Sequence, residues 1–286
     1  MLAEIKHIAV IGAGTMGQGI AQVCAGAGYS VVLFDVQPDL PQAALNQIQK
    51  NLAMLVDKGK LTANQRDETM GRIEVAGDFR YLESDLVIEA VIEKLDVKQK
   101  IFSELEKING MDTILTTNTS SIPVTQIAAA LRHPERFAGL HFFNPAPVMK
   151  LVEIIRGVAT DDATIDALKI FSERIGKVSV MAQDSPGFIV NRVARHYYVE
   201  ALRLLEEDVA SIESIDMLMR ESGFRMGPFE LMDLIGVDTN FAVTKSMYHA
   251  FHEDPKFRPS RIQQQKVDAG HHGRKTGKGF YGYPQA

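Results

Sequence analysis

Short runs of consecutive apolar, often β-branched residues recur through the first two thirds of the chain, at positions 7–11, 31–34, 73–76, 85–90, 113–117, 137–143, 150–155 and 177–181. Runs such as 7–11 and 85–90 do not alternate with polar residues, the pattern of strands covered on both faces in a parallel sheet. Between them the apolar spacing changes to three and four residues, as for Leu45, Ile48, Leu52, Leu55 and Val56 within 40–56. That spacing predicts amphipathic helices at 18–27, 40–56, 62–72, 96–108, 121–131 and 162–175, the fifth with Pro123 in its first turn. After Asp184-Ser185-Pro186-Gly187 the strand pattern stops, and 188–207, 212–221, 228–235, 238–251 and 259–269 all favour helix. Two domains are therefore expected, 1–184 with the sheet and 185–286 without one.

The first run leads directly into Gly12-Ala13-Gly14-Thr15-Met16-Gly17 and then a helix, while the second ends at Asp35. A GxGxxG triplet alone is weak evidence, but strand, glycine loop, helix and a distal acid together predict a Rossmann-type dinucleotide site. Gly12 permits the tight turn, Gly14 lets the backbone approach a pyrophosphate, and Gly17 lets the helix pack close. Asp35 would accept from a ribose 2′-hydroxyl and repel a 2′-phosphate, which favours NAD over NADP. The predicted fold class is thus α/β: a Rossmann-type, mostly parallel sheet domain followed by an all-helical C-terminal domain.

A second constellation lies in Gly139-Leu140-His141-Phe142-Phe143-Asn144-Pro145-Ala146-Pro147-Val148-Met149-Lys150-Leu151-Val152-Glu153. His141 and Glu153 stand among apolar residues on either side of a double-proline turn. Burying either one unpaired is costly, and the turn brings the two strands together, so each is the other's simplest partner. A general base with an orienting carboxylate and a purely structural core pair both fit that pattern. Glu93 and Lys98 fall at the carboxyl end of a strand, where a cofactor would pass, although position alone reads them as an exposed charge pair at a helix start. Ser120, within Asn118-Thr119-Ser120-Ser121, reads locally as a helix cap.

Bulk properties narrow the class. With 45% hydrophobic and 23% charged residues and a net charge of −5, the chain suits a soluble enzyme and offers no basic block for nucleic acid or an anionic membrane. One cysteine, Cys24, precludes an internal disulfide, and its helical position marks it as a small core hydrophobe. No apolar run reaches the roughly 20 residues that span a bilayer, and no secretory leader is recognisable, so a cytoplasmic location is expected, with an organelle interior after removal of a presequence as the alternative. His271-His272 lack a ligand set with recognisable spacing, and no metal is expected. The glycine-rich ending, Gly273-Arg274-Lys275-Thr276-Gly277-Lys278-Gly279-Phe280-Tyr281, reads as a packed tail.

Taken together, the glycine loop, Thr117-Asn118-Thr119-Ser120-Ser121, the His141–Glu153 stretch, Pro186-Gly187-Phe188-Ile189-Val190-Asn191-Arg192, Met226-Gly227-Pro228-Phe229-Glu230-Leu231 and the ending resemble the 3-hydroxyacyl-CoA dehydrogenases, particularly the short bacterial (S)-3-hydroxybutyryl-CoA dehydrogenases. The resemblance covers essentially the whole chain. It implies that His141 is the catalytic base, Glu153 its partner, and Ser120 and Asn191 contacts to the substrate's reacting oxygen. By the same resemblance Gly12, Gly14, Thr15, Met16, Gly17, Asp35, Glu93, Lys98 and Asn118 surround NAD, and Lys58 lies near the coenzyme A moiety of an acyl-CoA thioester. It further implies an antiparallel end to the sheet and a homodimer formed through the helical domain. Arg195-His196-Tyr197-Tyr198 and Ser222-Gly223-Phe224-Arg225 depart from the pattern where the acyl pocket and dimer contacts are implied, so chain length is left open. Two other readings remain: a relative acting on a free hydroxy acid such as L-gulonate, and a non-catalytic nucleotide-binding structural protein.

Overall fold

The computed structural model describes residues 4–284, and the chain divides into two compact units, 1–185 and 186–286. The first unit runs β1 (His7–Ile11), α1 (Thr15–Gly26), β2 (Ser30–Phe34), α2 (Asp39–Asp57), α3 (Ala63–Met70), β3 (Ile73–Val75), β4 (Leu86–Glu89), α4 (Leu95–Ile108), β5 (Ile114–Thr117), α5 (Val124–Ala128), β6 (Phe137–Phe142), β7 (Leu151–Arg156), α6 (Asp162–Arg174) and β8 (Val178–Gln183). Its eight strands form one sheet in the order β3-β2-β1-β4-β5-β6-β7-β8, parallel except for the β6–β7 pair. The order reverses between β1 and β4, which opens a crevice at the carboxyl ends of those strands.

The non-alternating runs are buried for the reason their pattern implies: helices cover both faces. Ile8, Ala9 and Val10 of β1 are fully buried, and Ile20, Cys24, Ile48, Leu168 and Phe171 pack with Leu33, Ile88 and Leu140 in one cluster. Each such side chain contributes about 1.5–3 kcal/mol of burial. Cys24 is the core hydrophobe its position suggested, its thiol pushed up to about 12 by burial.

One predicted helix is much shorter than its spacing suggested. Instead of 121–131, helix forms only over Val124–Ala128, with Pro123 just outside it. The preceding Thr119, Ser120 and Ser121 are held by Glu93, and the first amides of α5 are claimed from a distance: Asp184 accepts from Val124 N–H at 2.9 Å and Thr125 N–H at 2.7 Å. The double-proline turn is fastened in the same indirect way. Lys177, nearly buried, donates to Ala146 O at 2.5 Å and Met149 O at 2.7 Å.

The second unit contains α7 (Val190–Glu206), α8 (Ile212–Glu221), α9 (Pro228–Ile235), α10 (Val237–Ala250) and α11 (Arg261–Asp268), and no strand element among the described residues. Tyr198, Leu202, Ile215, Phe229, Met232, Val237 and Phe280 form its core. Two buried aspartates organise it. Asp216 accepts from Phe229 N–H at 2.9 Å, Glu230 N–H at 3.0 Å and the Tyr281 hydroxyl at 2.8 Å, capping α9 from α8. Asp233 accepts from Phe280 N–H at 2.9 Å, Tyr281 N–H at 2.9 Å and the Tyr283 hydroxyl at 3.0 Å. The glycine-rich ending is therefore packed, as expected, by carboxylates that take its amides and phenols.

Candidate active site

His141 and Glu153 face each other in register across the antiparallel strands β6 and β7. Both are buried, and His141 Nδ1 lies 2.7 Å from Glu153 Oε2. With Glu153 ionised, Nδ1–H donates to the carboxylate and Nε2 carries the basic lone pair. Phe143 leans against the imidazole with ring centroids 4.6 Å apart. Asn118, at the end of β5, fixes the neighbouring backbone by accepting from Phe142 N–H at 2.7 Å.

A second charged group lies at the ends of β4 and β5. Lys98, which position alone reads as exposed, is only 1% exposed. Its ammonium donates to Glu89 Oε1 at 2.6 Å and lies 3.3 Å from Glu93 Oε2. Glu89 escaped the sequence reading although it is fully buried, accepting also from Val91 N–H at 2.7 Å and Thr117 Oγ1 at 2.6 Å. An acid as the last residue of a buried-type strand, at the end where ligands bind, was the available signal. Glu93 Oε1 in turn accepts from Thr119 Oγ1 at 2.6 Å, Ser120 N–H at 2.9 Å, and Ser121 N–H and Oγ at 3.0 Å. Burial pushes the Glu93 carboxyl up, but the Lys98 cation and these donors outweigh it and hold it below its ordinary range. Ser120 is therefore no helix cap; Glu93 holds its loop.

The glycine loop fits a dinucleotide. Gly12 has φ of +102°, and a side chain there would meet Ala90 O at 2.5 Å; one at Gly17 would strike Gly12 O. Gly14 and Thr15 are exposed at the start of α1, and Gly14 would meet nothing within 4 Å on its side-chain side. Met16 follows, partly buried in the first turn. That helix start has no side-chain cap and no acid in its first turn, so its amides and positive dipole end suit a phosphate. Asp35 does more than await a ribose: Oδ2 accepts from Ala13 N–H at 2.8 Å and Oδ1 from Gln37 N–H at 2.9 Å. Each oxygen keeps a lone pair for a sugar hydroxyl. The adjoining cleft of about 720 Å³ is lined by Gly12, Gly14, Phe34, Asp35, Val91 and Ile101, among others.

The structure thus gathers Ser120, Glu93 and Lys98 into one network, sets Asn118 against the Phe142 backbone and joins His141 to Glu153. Asn191 is half-buried in the first turn of α7, in the second unit. Lys58 is the exposed C-cap of α2, and its side chain makes no hydrogen bond or ion pair among the described residues. No described helix is long and apolar enough to cross a membrane.

A doubly wound sheet with this glycine loop, distal aspartate and open cleft defines a dinucleotide-binding protein of the Rossmann class. The NAD-binding domain of 3-hydroxyacyl-CoA dehydrogenase matches residues 7–185, and the C-terminal domain of the same enzymes matches 187–283. The chain belongs to the 3-hydroxyacyl-CoA dehydrogenase family. It is 49% identical to a 3-hydroxyadipyl-CoA dehydrogenase of Escherichia coli, an alignment that covers 98% of this chain but only 60% of that relative. Identity to a 3-hydroxybutyryl-CoA dehydrogenase of Bradyrhizobium diazoefficiens is 45%, covering 99% of this chain and 97% of the relative. The crystal structure of (S)-3-hydroxybutyryl-CoA dehydrogenase from Ralstonia eutropha superposes with a TM-score of 0.94 at 41% identity, covering 98% of this chain and all of that one.

Proposed function

We propose that the protein catalyses the reversible, NAD-linked oxidation of an (S)-3-hydroxyacyl-CoA to the 3-ketoacyl-CoA, with the four-carbon 3-hydroxybutyryl-CoA among its substrates. The observation that carries this reading is the buried 2.7 Å contact between His141 and Glu153 at the carboxyl-end rim of an NAD-binding sheet. Bound NAD supplies the hydride acceptor, held by the 12–17 loop and Asp35, with Glu93, Lys98 and Asn118 nearby. His141 Nε2 takes the proton of the substrate's 3-hydroxyl, and in the reverse direction the imidazolium returns it to the carbonyl oxygen. Glu153 keeps Nδ1 protonated and stabilises the imidazolium. Ser120 and Asn191 orient the reacting oxygen, and Lys58 meets the coenzyme A phosphates. The protein works as a homodimer through its helical unit, in the cytoplasm.

The test is to follow NADH and NADPH oxidation with 3-ketoacyl-CoA substrates from four carbons upward, beside free keto acids. Activity with the thioesters and NADH is expected. Inactivity across the thioester series, or equal turnover of the free acids, would overturn the reading.

A further inference from the structure

Strand β6 outruns one of its neighbours at the end where the candidate site lies. Leu115, Thr116 and Thr117 of β5 pair with Phe137, Ala138 and Gly139, and there β5 stops. Leu140, His141 and Phe142 continue with a strand on the β7 side only, where His141 stands opposite Glu153. On the side that β5 has left, the Phe142 N–H is met by a side chain: Asn118 Oδ1 accepts from it at 2.7 Å. An amide oxygen thus takes the place of the next backbone rung, and it does so at the peptide unit that joins His141 to Phe142. The holder is itself held. Asn118 N–H donates to Glu89 O at 2.7 Å, and Thr119, Ser120 and Ser121 hang on Glu93, so the backbone beneath the amide is tied to β4 and to the Lys98 network.

The hydrogen bond also fixes which way the amide faces. A peptide N–H needs an acceptor, so the oxygen is turned to Phe142, and Nδ2 makes no hydrogen bond among the described residues. The N–H pair of Nδ2 suits the dinucleotide, while the bonded oxygen suits the base. Energetics decide for the base. Phe142 is 2% exposed, and a buried N–H left without an acceptor costs about 1–3 kcal/mol. That is enough for the end of β6 to turn toward water and carry the imidazole with it, and a reacting group misplaced by about 1 Å can lose about 100-fold in rate. Glu153 holds the ring, whereas Asn118 holds the backbone from which the ring is hung. An amide does this without setting a second carboxylate next to the imidazole, as an aspartate would.

We propose that Asn118 is a positioning residue for the base: its oxygen continues β5 by one rung, and its contribution to turnover passes through His141 rather than through the dinucleotide. The inference rests on the proposed reading of His141 as the base. The experiment is a double-mutant cycle on the reduction of a four-carbon 3-ketoacyl-CoA by NADH, with Asn118→Leu made in the wild-type and in the His141→Ala protein. Leucine has a similar volume and no acceptor. In the wild type it should lower kcat by about 10- to 100-fold, with NADH affinity changed by less than about threefold. In the His141→Ala protein it should change the residual kcat by less than about twofold, because the group it aims is already gone. Asn118→Asp keeps the acceptor and gives up both N–H donors, so it should lose less than Asn118→Leu. Should the leucine variant not fold, Asn118→Ala in the same two proteins closes the cycle. An equal fold-loss in both proteins, an NADH affinity that falls in step with kcat, or an Asn118→Asp variant no faster than Asn118→Leu overturns the inference and leaves Asn118 to the cofactor or the scaffold. Near-normal turnover in His141→Ala overturns the reading of the base beneath it, and a wild type inactive with the whole thioester series overturns the dehydrogenase reading itself.

Discussion

The two units bury charge by different means. In the sheet unit, the buried ions around the candidate site meet ionisable partners, Lys98 with Glu89 and Glu93 and His141 with Glu153, while Lys177 beneath the double-proline turn meets carbonyls. In the helical unit, Asp216 and Asp233 meet backbone amides and tyrosine hydroxyls, which have no charge of their own to shift. A carboxylate held by amides is a fixed part of the scaffold. A carboxylate held by an imidazole or an ammonium sits in a linked set whose protons and charge respond to what binds beside it. The position of each set agrees with that division, since the ion pairs lie at strand ends and the amide-held acids lie at helix starts and against the tail.

The comparison is broken most sharply at the imidazole. His141→Ala should cut turnover by about 10²–10⁴-fold, the usual contribution of a positioned base, while NADH affinity measured by fluorescence titration stays near that of the wild type. Near-normal turnover would put the dyad in the scaffold class with Asp216. The next test replaces one carboxylate of each kind by its isosteric amide. Glu89→Gln and Asp233→Asn should each lower unfolding stability by about 2–4 kcal/mol in denaturant titrations, because each leaves buried donors unmet. Only Glu89→Gln should also weaken NADH binding, through Lys98 and the 119–121 loop; equal NADH affinity in both variants would erase the distinction. The smallest effect concerns acid. The Glu93 carboxyl is held below its reference value of 4.5, so its contribution to stability is present above that pH and is lost as pH falls through the lower folded value. Glu93→Gln should therefore be less stable than the wild type at pH 7, and the two should converge as pH falls below 4.5 and through the lower folded value; a constant gap would mean that the carboxylate's charge plays no part.

Much of this arrangement was legible in the chain. The apolar runs located every strand of the sheet, and the double-proline turn between two of them predicted the meeting of His141 and Glu153. Helices of the second unit appeared within a few residues of their expected spans. What escaped depended on contacts distant in sequence. Lys98 looked exposed because its helix position is polar, and only Glu89, contributed by β4, makes its burial tolerable. The helix expected over 121–131 shrank because Glu93 claims the serine loop and Asp184 claims the first amides of α5. Asp216 and Asp233 fit the polar stripe of an amphipathic pattern equally well. Among their partners, Phe280, Tyr281 and Tyr283 lie at the far end of the chain, where no local periodicity reaches.

That last connection bears on how the protein can be handled. The tail works as a latch thrown across two bolts: Tyr281 touches Asp216, and Tyr281 and Tyr283 touch Asp233. Cleavage of the chain just before Tyr281 would strip donors from α8 and α9 in a single event. Tyr281 and Tyr283 thus govern the integrity of helices whose aspartates precede them by 48 to 65 positions.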